Sequence, residues 1–456
     1  MTTNRPLIRN PQSAIRNPQY TVAVIGLGKI GLPLAAQFAG AGARVIGADR
    51  NPAVVAAVNA GECPIVEEPG LAERVAATVA AGSLTATTDT AVAVAQSNIV
   101  VIIVPLLVDA DHALDYGMVD TATADVARGL QPGTLVIYET TLPVGTTRER
   151  LGPALAAGSA LTLGRDFQLA FSPERVYSGR IFRDLATYPK IVGGLDAAST
   201  AAAVAFYEAT LGGATVQAVQ DTDTAELVKL LETTYRDVNI ALAAEFARYA
   251  AGRGLPVDEA IAAANTQPYS HIHTPGIGVG GHCIPVYPYF LIDNDTAGDL
   301  TLPRAARRIN DDMARWALDR LSLALGGLAG QRVLILGYSY RENVKETAFS
   351  ASKTLIRELR AAGAVPLLAD PLYTAAELAE TGAIPVDFTA LPPVEAVILQ
   401  APHRAFADLD WPALAAHGCR AVLDGRNALT STTRATITQA GMAYLGIGRG
   451  VLSYDL

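Results

Sequence analysis

The sequence predicts an α/β protein with two Rossmann-like parallel-sheet domains joined by a long central helix. In the first half of the chain, apolar runs typical of buried strands alternate with alanine-rich helical stretches. A stretch without proline or glycine follows at about 221–251, and the alternation begins again at Arg332. We expect four segments: a disordered leader over 1–20, a first Rossmann domain over 21–215, a central helical region over 216–325 and a second Rossmann-like domain over 326–456.

The strands of the first half are predicted from the apolar runs TVAVIGLG, ARVIGAD, NIVVIIVP, TLVIYET and KIVGG. The longest apolar run, Ile99 to Val108, has about half of the ~20 residues that a membrane-spanning helix requires. We therefore interpret it as one buried strand. In the second half, the predicted strands are RVLILGYSY, VPLLAD, EAVILQAP, AVLDG and MAYLGIG.

The stretch at about 221–251 is predicted to be a single helix with an apolar face. Large apolar residues recur in it every three to four positions, or every seven across one gap; they are Leu227, Leu231, Val238, Leu242, Phe246 and Tyr249. Gly252 and Gly254 end the helix. A loop rich in Gly, Pro and His follows from Gln267 to Pro288, and another helix is expected at about 302–325.

Composition and charge exclude several classes of protein. The 456 residues are 50% hydrophobic and 17% charged, which provides enough apolar surface for packed cores. A net charge of -9 gives no basic surface for nucleic acid. The three cysteines are scattered without CxxC spacing, so neither disulfides nor a metal site is indicated. The leader repeats IRNPQ and lacks the apolar region of a secretory signal, so we expect a cytoplasmic protein without a membrane partner.

A glycine motif follows the first predicted strand. Gly26, Gly28 and Gly31 have the spacing at which glycines permit a tight turn, the approach of a pyrophosphate and close packing of helix on strand. Asp49 ends the second strand, where a carboxylate accepts both ribose hydroxyls and repels a 2′-phosphate. This favours NAD over NADP, although Arg50 could weaken the discrimination. The alternative is a structural turn with a solvated aspartate.

Cys283 is a candidate nucleophile. It lies in the Gly- and Pro-rich segment PGIGVGGHCIPVYPYF, next to His282, where little regular structure can form and the backbone can approach a ligand. The alternative is an inert buried thiol, which is the commoner fate of a lone cysteine. For Cys63 and Cys419 we keep that alternative.

Polar residues form a strip on the long helix and also follow two apolar runs. Lys229, Thr233, Arg236 and Asn239 are spaced by four, three and three residues, which places them on one side of the helix; such a strip is often only a solvated face. Thr141 and Glu174 lie just beyond apolar runs. The ends of parallel strands are where open α/β sheets bind ligands.

Taken together, the motifs resemble the nucleotide-sugar dehydrogenase family, which includes the UDP-glucose, UDP-N-acetylmannosamine and GDP-mannose dehydrogenases. The similarity extends from about residue 21 to 450 and is carried by GLGKIGLPLA, NAGECPIVEEPGL, ETTLPVGTT, SPERVYSG with DLATYPKIVGG, KLLETTYRDVNIALAAEFA, PGIGVGGHCIPV and DGRNAL. The resemblance implies NAD on the first domain, the nucleoside diphosphate of a nucleotide sugar (a UDP-sugar first of all) on the last, and a homodimer formed through the long helix.

The resemblance also implies a reaction. Family members oxidise the C6 alcohol of the sugar to a carboxylate with two NAD molecules in succession. Cys283 would attack the aldehyde, the thiohemiacetal would lose a second hydride and the thioester would be hydrolysed. Lys229 would stabilise the oxyanions, Thr141 would hold a water and Glu174 would serve in the hydrolysis.

We predict three groups of site residues on this basis. The catalytic group is Cys283, Lys229, Glu174, Thr141, Thr233 and Tyr287. The cofactor-binding group is Gly26, Gly28, Lys29, Ile30, Gly31, Asp49, Arg50, Pro105 and Thr141. The substrate-binding group is Glu174, Arg175, Lys229, Arg236, Asn239, Tyr269, Gly280 and Arg341.

Two catalytic positions depart from the family pattern. Thr233 stands where an asparagine is usual, and Tyr287 stands where an aspartate is usual. A phenol with a reference pKa near ~10 is a poor base at neutral pH, so the first proton must leave by another route. Lys229, His282 and Glu174 are the candidates, and we choose Lys229 because a helix fixes its position.

Three recognition segments depart as well. The family's HPR-type segment reads Gln267-Pro268-Tyr269, its DxRxSP segment is replaced by the residues 345–351, and its VPTP segment reads Val104-Pro105-Leu106-Leu107. Loss of an arginine at two of these places changes the recognition of hydroxyls and phosphate, so a less usual sugar or nucleotide is indicated.

Two other functions remain open at this point. One is an NAD-dependent isomerase or epimerase that oxidises and re-reduces a sugar carbon, which the loss of the carboxylate at Tyr287 would suit but which leaves Cys283 without a purpose. The other is a catalytically silent protein that binds nucleotide sugars.

Overall fold

A computed structural model describes residues 20–109 and 112–452. Apart from Tyr20, the predicted leader lies outside the described residues. The chain divides into two compact units, and the boundary after Leu230 falls inside one long helix. Each unit contains a sheet covered by helices, which confirms the predicted fold class of two Rossmann-like domains and a long central helix.

The first unit is built on an eight-stranded sheet with the order β10-β9-β8-β7-β4-β1-β2-β3. Its strands, together with a small hairpin formed by β5 and β6, are β1 Thr21–Ile25, β2 Arg44–Ala48, β3 Leu84–Thr87, β4 Ile99–Ile102, β5 Leu107–Val108, β6 Leu114–Asp115, β7 Leu135–Tyr138, β8 Gln168–Phe171, β9 Lys190–Gly194 and β10 Val216–Ala218. Its helices are α1 Gly31–Gly40, α2 Pro52–Asn59, α3 Leu71–Ala80, α4 Thr90–Ala95, α5 Gly117–Gly129, α6 Gly152–Ser159, α7 Ile181–Thr187, α8 Ala197–Thr210 and the start of α9 Thr222–Ala251.

One pair of strands in this sheet breaks the predicted parallel pattern. Strand β9 runs antiparallel to β8, with Ala170 opposite Gly194 and Phe171 opposite Gly193. Helix α7, in the connection between them, has seven residues and is only about 10 Å long. The chain therefore remains near the carboxyl end of β8, and β9 begins there. Lys190, the first residue of β9, thus lies at the edge where the parallel strands end.

The apolar run from Ile99 to Val108 is not one strand, so that prediction is wrong. Strand β4 ends at Ile102, and Leu107–Val108 forms the hairpin strand β5. The chain leaves the sheet before Pro105, which has no N–H to donate to a neighbouring strand and is exposed.

Helix α9 spans thirty residues, close to the predicted extent, but most of its predicted apolar face points outward. Leu231 and Tyr249 are 55% and 59% exposed, and Leu242 and Phe246 are exposed as well. The helix is buried instead through small residues of its second half, which belong to the core of the second unit: Ala243, Ala244, Ala247 and Ala250. Small side chains allow close approach of neighbouring elements. The large apolar side chains stay exposed, as is typical of a surface that contacts another protein.

The second unit carries a seven-stranded sheet with the order β13-β12-β11-β14-β15-β16-β17, in which only β17 among the described strands is antiparallel to its neighbour. The strands are β11 Arg332–Leu336, β12 Val365–Ala369, β13 Ile384–Pro385, β14 Ala396–Leu399, β15 Ala421–Asp424, β16 Ala443–Gly446 and β17 Val451–Leu452. The helices after α9 are α10 Val257–Ala264, α11 Tyr287–Asn294, α12 Thr301–Leu325, α13 Ala351–Ala361, α14 Ala375–Ala379, α15 Trp411–Ala416 and α16 Ser431–Gln439.

Side-chain caps fix the start of several helices. Asn51 accepts from Ala53 N at the start of α2, and Asp196 accepts from Ser199 N at the start of α8. Each cap satisfies a backbone N–H that has no partner within the helix. Helix α9 is positioned by a different contact, because the buried carboxylate of Glu226 accepts from Gly145 N and Thr147 N of the loop after β7.

Candidate functional site

The glycine motif between β1 and α1 has two structural glycines and one that is open. Gly26 has φ +94°, and a Cβ on Gly31 would lie 1.8 Å from Gly26 O, so only glycine fits at these two positions. A Cβ on Gly28 would meet no protein atom within 4 Å. Gly28 is exposed at the start of a ten-residue helix, where backbone N–H groups favour a phosphate. The loop therefore fits the pyrophosphate of a dinucleotide.

Asp49 holds this loop from the end of β2. Its carboxylate accepts from Leu27 N at 2.8 Å and from Asn51 N at 2.9 Å. The side chain thus lies beside the glycine loop, with acceptor sites left for the ribose hydroxyls of NAD. Of the other residues predicted to bind the cofactor, Lys29, Arg50 and Pro105 are exposed, and Ile30 is half-buried before α1.

Thr141 and Glu174 follow β7 and β8, which are neighbours in the sheet. Thr141 is buried three residues beyond Tyr138, and Glu174 is half-buried three residues beyond Phe171. Glu174 Oε1 accepts from its neighbours Arg175 N at 2.6 Å and Val176 N. Both predicted residues therefore lie at the edge of the sheet where ligands bind in such folds.

Three residues near this edge were not predicted as site residues: Glu139, Lys190 and Tyr207. Lys190 Nζ contacts Glu139 Oε1 and lies 3.0 Å from Glu174 Oε2. Tyr207 OH donates to Glu139 Oε2 at 2.8 Å. The sequence signal was a lysine and a glutamate inside predicted buried strands, where a charged residue needs a partner. The assumption of parallel strands placed Lys190 at the opposite edge.

Burial and the shared Lys190 ammonium shift the pKa values of the two carboxyl groups in opposite directions. Burial raises the pKa of Glu139 to about 8, although the Lys190 charge opposes the shift. Burial also acts on Glu174, but there the Lys190 charge and the hydrogen bonds outweigh it and lower the pKa to about 2. These opposite shifts favour the ionised form of Glu174 and the protonated form of Glu139 at neutral pH.

Helix α9 brings Lys229 to the same loop. Its Nζ donates to the main-chain oxygen of Glu174 at 2.6 Å. Arg175 Nη1 donates to Pro189 O at 3.0 Å, which holds the loop against the start of β9. Within the first unit, Thr141, Glu174 and Lys229 are thus associated with one edge of one sheet, and Lys229 and Glu174 are in direct contact.

In the second unit, Cys283 lies in the turn that leads into α11. Its carbonyl accepts from Val286 N and from Tyr287 N, and its side chain is half-buried. Tyr287 begins the helix and contacts the Phe290 ring edge-on at 5.2 Å. His282 Nε2 lies 3.2 Å from Glu346 Oε2.

The glycines before Cys283 pack against the loop that follows β11. A Cβ on Gly280 would lie 2.5 Å from Tyr340 Cβ, and Gly281, with φ +98°, lies over the same ring. Gly281 N donates to Ala348 O at 2.8 Å. The loop that carries the candidate nucleophile is therefore fixed to the edge of the second sheet, and the absence of side chains is what allows the approach.

The second half of the polar strip on α9 is mainly structural. Thr233 is buried. Asn239 Nδ2 donates to His271 O at 2.7 Å and its Oδ1 accepts from His273 N, so this side chain fixes the loop before Cys283. Arg236 is exposed, and after burial its charge is the second cause that lowers the pKa of His273.

The remaining predicted residues lie in loops of the second unit. Tyr269 is 89% exposed. Arg341 lies after β11 with its guanidinium 5.7 Å from the Tyr340 ring. Arg426 was not predicted individually, although it stands in the matching segment DGRNAL; it donates to the carbonyls of Gln400, Gly278 and Tyr340, and burial lowers the pKa of its guanidinium.

No described helix is both long and apolar enough to cross a membrane. No group of three metal-ligating side chains is found in the described residues.

Comparison with known proteins agrees with this geometry. The profile of the UDP-glucose/GDP-mannose dehydrogenase family, NAD binding domain, matches residues 20–211. The central-domain profile of that family matches residues 223–312, and the UDP-binding-domain profile matches residues 334–431.

Three relatives illustrate the similarity. UDP-N-acetyl-D-mannosamine dehydrogenase of Pyrococcus horikoshii is 35% identical over 94% of this chain and 99% of its own, and its structure superposes with a TM-score of 0.84. The enzyme of the same name from Salmonella typhimurium is 39% identical over 67% of this chain and 72% of its own. NDP-N-acetyl-D-galactosaminuronic acid dehydrogenase of Methanosarcina mazei is 28% identical over 95% of this chain and 96% of its own, with a TM-score of 0.84.

A glycine loop and acidic residue on one Rossmann-like sheet, with a second such sheet after a long helix, define a two-domain NAD-dependent oxidoreductase. The chain belongs to the UDP-glucose/GDP-mannose dehydrogenase family. It is an NAD-dependent dehydrogenase whose substrate is a nucleotide sugar, and the resemblance seen in its sequence motifs is confirmed.

Proposed function

We propose that this protein oxidises the C6 alcohol of a UDP-linked N-acetylhexosamine to a carboxylate, with UDP-N-acetyl-D-mannosamine as the first candidate. The names of relatives that are 35–39% identical support this sugar class. The observation that carries the proposal is the placement of Cys283 at the start of α11, on a glycine loop packed on Tyr340 beside the second sheet.

The cysteine accounts for oxidation beyond the aldehyde. A thiolate adds readily to an aldehyde carbon and also leaves readily from an acyl carbon. The Cys283 sulfur would add to the aldehyde carbon to form a thiohemiacetal. The thiohemiacetal becomes a thioester when its C–H leaves as a hydride and its hydroxyl loses a proton, and water then releases the carboxylate and the thiol. NAD held by the Gly26–Gly31 loop and Asp49 supplies the hydride acceptor.

Polar side chains would assist the reaction. The Lys229 ammonium would stabilise the oxyanions, and Thr141, buried at the sheet edge, would hold a water. Glu174, ionised beside Lys190, would take a proton from the hydrolytic water. Thr233 would keep the hydrogen-bonding role of the asparagine that is usual at its position.

Several predicted residues would recognise the substrate. Arg175 and Arg236 carry charge suited to phosphate or sugar hydroxyls, and Arg341 follows β11 at the edge of the second sheet. Gly280 permits the close approach of the Cys283 loop, while Asn239 fixes the loop before it. The exposed Tyr269 would reach the sugar site of a second subunit.

A homodimer through α9 belongs to this proposal. The large apolar side chains of α9 that are exposed in the single chain form one stripe along the helix: Leu231, Tyr235, Leu242, Phe246 and Tyr249. A contiguous apolar surface of this kind is typical of a subunit interface.

The test is the absorbance of NADH after the protein is mixed with NAD and a panel of UDP- and GDP-sugars. Two NADH per sugar, with a uronate as product, support the proposal. Sugar turnover without NADH would instead indicate an isomerase or epimerase. Binding of a nucleotide sugar without any turnover would indicate a catalytically silent protein.

A further inference from the structure

Three ionisable side chains meet in the interior of the first unit, at the edge of its sheet. Glu139 follows β7, Glu174 follows β8 and Lys190 begins β9. The Lys190 ammonium contacts one oxygen of each carboxyl group. The side chains of Glu139, Lys190 and Glu174 are 0%, 6% and 12% exposed, so water cannot compensate their charges.

The antiparallel strand β9 creates this meeting. Phe171 is opposite Gly193, and the antiparallel direction of β9 brings its first residue, Lys190, back towards Glu174, which lies three residues beyond Phe171. A parallel β9 would have placed its first residue at the other edge of the sheet. The contact therefore follows from the topology of the sheet and not from a chance rotamer.

Each carboxyl group has further hydrogen bonds that fix it. Tyr207 OH, from α8, donates to Glu139 Oε2 at 2.8 Å, and its ring lies 4.9 Å from Lys190 Nζ. Glu174 Oε1 accepts two backbone N–H groups, from Arg175 and Val176. Glu174 is thus arranged as a carboxylate that accepts hydrogen bonds, whereas Glu139 contacts the Tyr207 hydroxyl and the Lys190 ammonium and is the least exposed of the three.

Other charged groups near the pair come from three elements. Lys229, on α9, donates to the main-chain oxygen of Glu174. Arg175 donates to Pro189 O, and Asp184, on α7, is paired with Arg180 at 3.0 Å. Asp184 also lines a small cleft beside Glu174 and Lys190. The side chains in contact with the two carboxyl groups are Lys190 and Tyr207. The two carboxyl groups are also joined to each other by a side-chain hydrogen bond.

We propose that Glu139 and Lys190 are positioning residues for Glu174, and that the two carboxyl groups share a single proton that resides on Glu139. Two carboxylates beside one buried ammonium would leave one negative charge uncompensated, which a shared proton avoids. Lys190 then keeps Glu174 ionised and correctly oriented to accept a proton from water. This inference rests on the proposed role of Glu174 in thioester hydrolysis.

In the proposed hydrolysis, Glu174 activates the water that attacks the thioester. Glu174 accepts one proton from water, the hydroxide forms a C–O bond to the thioester carbon and the C–S bond breaks. The Cys283 sulfur leaves with the electron pair, and the proton on Glu174 is then released to solvent. Lys190 and Glu139 form no bond to substrate, and their effect is confined to the basicity and orientation of Glu174.

The first test needs no substrate. Infrared difference spectra of the whole protein, with 13C-labelled glutamate, compare wild type with Glu139→Gln over the pH range 6–10. We expect a protonated carboxyl band at neutral pH that titrates near pH 8 and is absent in the variant, in line with the raised pKa of Glu139. Glu226→Gln is the matched control, because Glu226 is also buried with a pKa raised to about 7 but accepts from Thr147 instead.

The second test is kinetic and uses UDP-N-acetyl-D-mannosamine. Lys190→Met should slow hydrolysis on the order of 100-fold, the size of a general-base contribution. The Cys283 adduct should then accumulate in mass spectra after NADH release, and the acid limb of the kcat profile should move to higher pH. Lys190→Arg should restore both. A purely structural role would lower NAD binding and both oxidations together and would leave the pH profile in place.

The outcomes separate this inference from the proposed function. The inference is overturned if the infrared spectra show no protonated carboxyl at neutral pH that depends on Glu139. It is also overturned if the pH profile of Lys190→Met does not move. Both results count against it even when two NADH form per sugar. If no nucleotide sugar is oxidised, the proposed function and the hydrolytic role fail together. The shared proton is then decided by the infrared spectra alone.

Discussion

Lys229 Nζ donates a 2.6 Å hydrogen bond to the main-chain oxygen of Glu174. The contact joins helix α9 to the loop that follows β8, so the candidate amine and the candidate carboxylate have a fixed relation. An amine retains a donor for this bond whether it is charged or neutral. The nitrogen can therefore gain or lose a proton without moving, which is a requirement for a base that must keep its orientation.

Two substitutions in the glycine loop should separate an effect on NAD binding from an effect on folding. Gly28→Ala should fold normally, since its Cβ meets no protein atom, but should weaken NAD binding because the methyl group occupies the space for the pyrophosphate. Gly31→Ala should fail to fold or lose stability, since its Cβ would lie 1.8 Å from Gly26 O. Thermal unfolding and NAD titration measure the two effects. Equal NAD affinity in Gly28→Ala and wild type would show that the pyrophosphate of NAD does not bind at Gly28.

The glycine loop is among the features that could be predicted from the sequence. Strand–helix alternation and glycine spacing are local signals, so the two sheets and the positions of Gly26 and Gly31 could be predicted. The pairing of Glu139 with Lys190 could not, because it depends on the direction of β9, which no local pattern specifies. The orientation of α9 was also beyond the pattern. Periodicity shows that a face is apolar but does not show which partner covers it.

Asp49 should determine the choice of cofactor. Removing the carboxylate in Asp49→Ala should weaken NAD binding by roughly 1.5–3 kcal/mol, the size of a lost charged hydrogen bond. Because Asp49 also accepts from Leu27 N, Asp49→Asn is the better matched variant: it retains an acceptor for the loop and removes only the charge. The ratio of NADP to NAD efficiency should rise in both variants. If the wild type used NADP as efficiently as NAD, the assignment of Asp49 to the ribose would be wrong and Arg50 would be the relevant residue.

Cys283→Ser should stop the reaction before the carboxylate. A serine alkoxide forms far less readily than a thiolate, and an ester is hydrolysed more slowly than a thioester. NAD binding should be unchanged, since the glycine loop and Asp49, which would hold the cofactor, are intact in this variant. The measurement is uronate formation, with Cys419→Ser, a buried thiol far along the chain, as control. An unimpaired uronate yield from Cys283→Ser would contradict the covalent route.

The stripe on α9 should hold two subunits together. Replacing Leu242 and Phe246 by glutamate should give a monomer, because two charges in an apolar interface are costly to desolvate. Leu323→Glu is the control, since Leu323 is 83% exposed on α12 and does not belong to the stripe. Sedimentation velocity distinguishes the two states. A dimer that survives the double substitution would place the subunit contact elsewhere.

The base for the first oxidation is decided by comparing Tyr287 with Lys229. Tyr287→Phe keeps the ring that packs edge-on against Phe290 and removes only the hydroxyl. A phenol with a reference pKa near ~10 is not the proton acceptor at neutral pH, so this variant should keep most of the wild-type kcat. Lys229→Ala should lose several orders of magnitude, because it removes both the base and the oxyanion stabilisation. Single-turnover NADH formation, which precedes hydrolysis, isolates this step from the role of Glu174. If Tyr287→Phe lost several orders of magnitude while Lys229→Ala were only mildly impaired, the tyrosine would hold the catalytic role and the lysine would only fix the Glu174 loop.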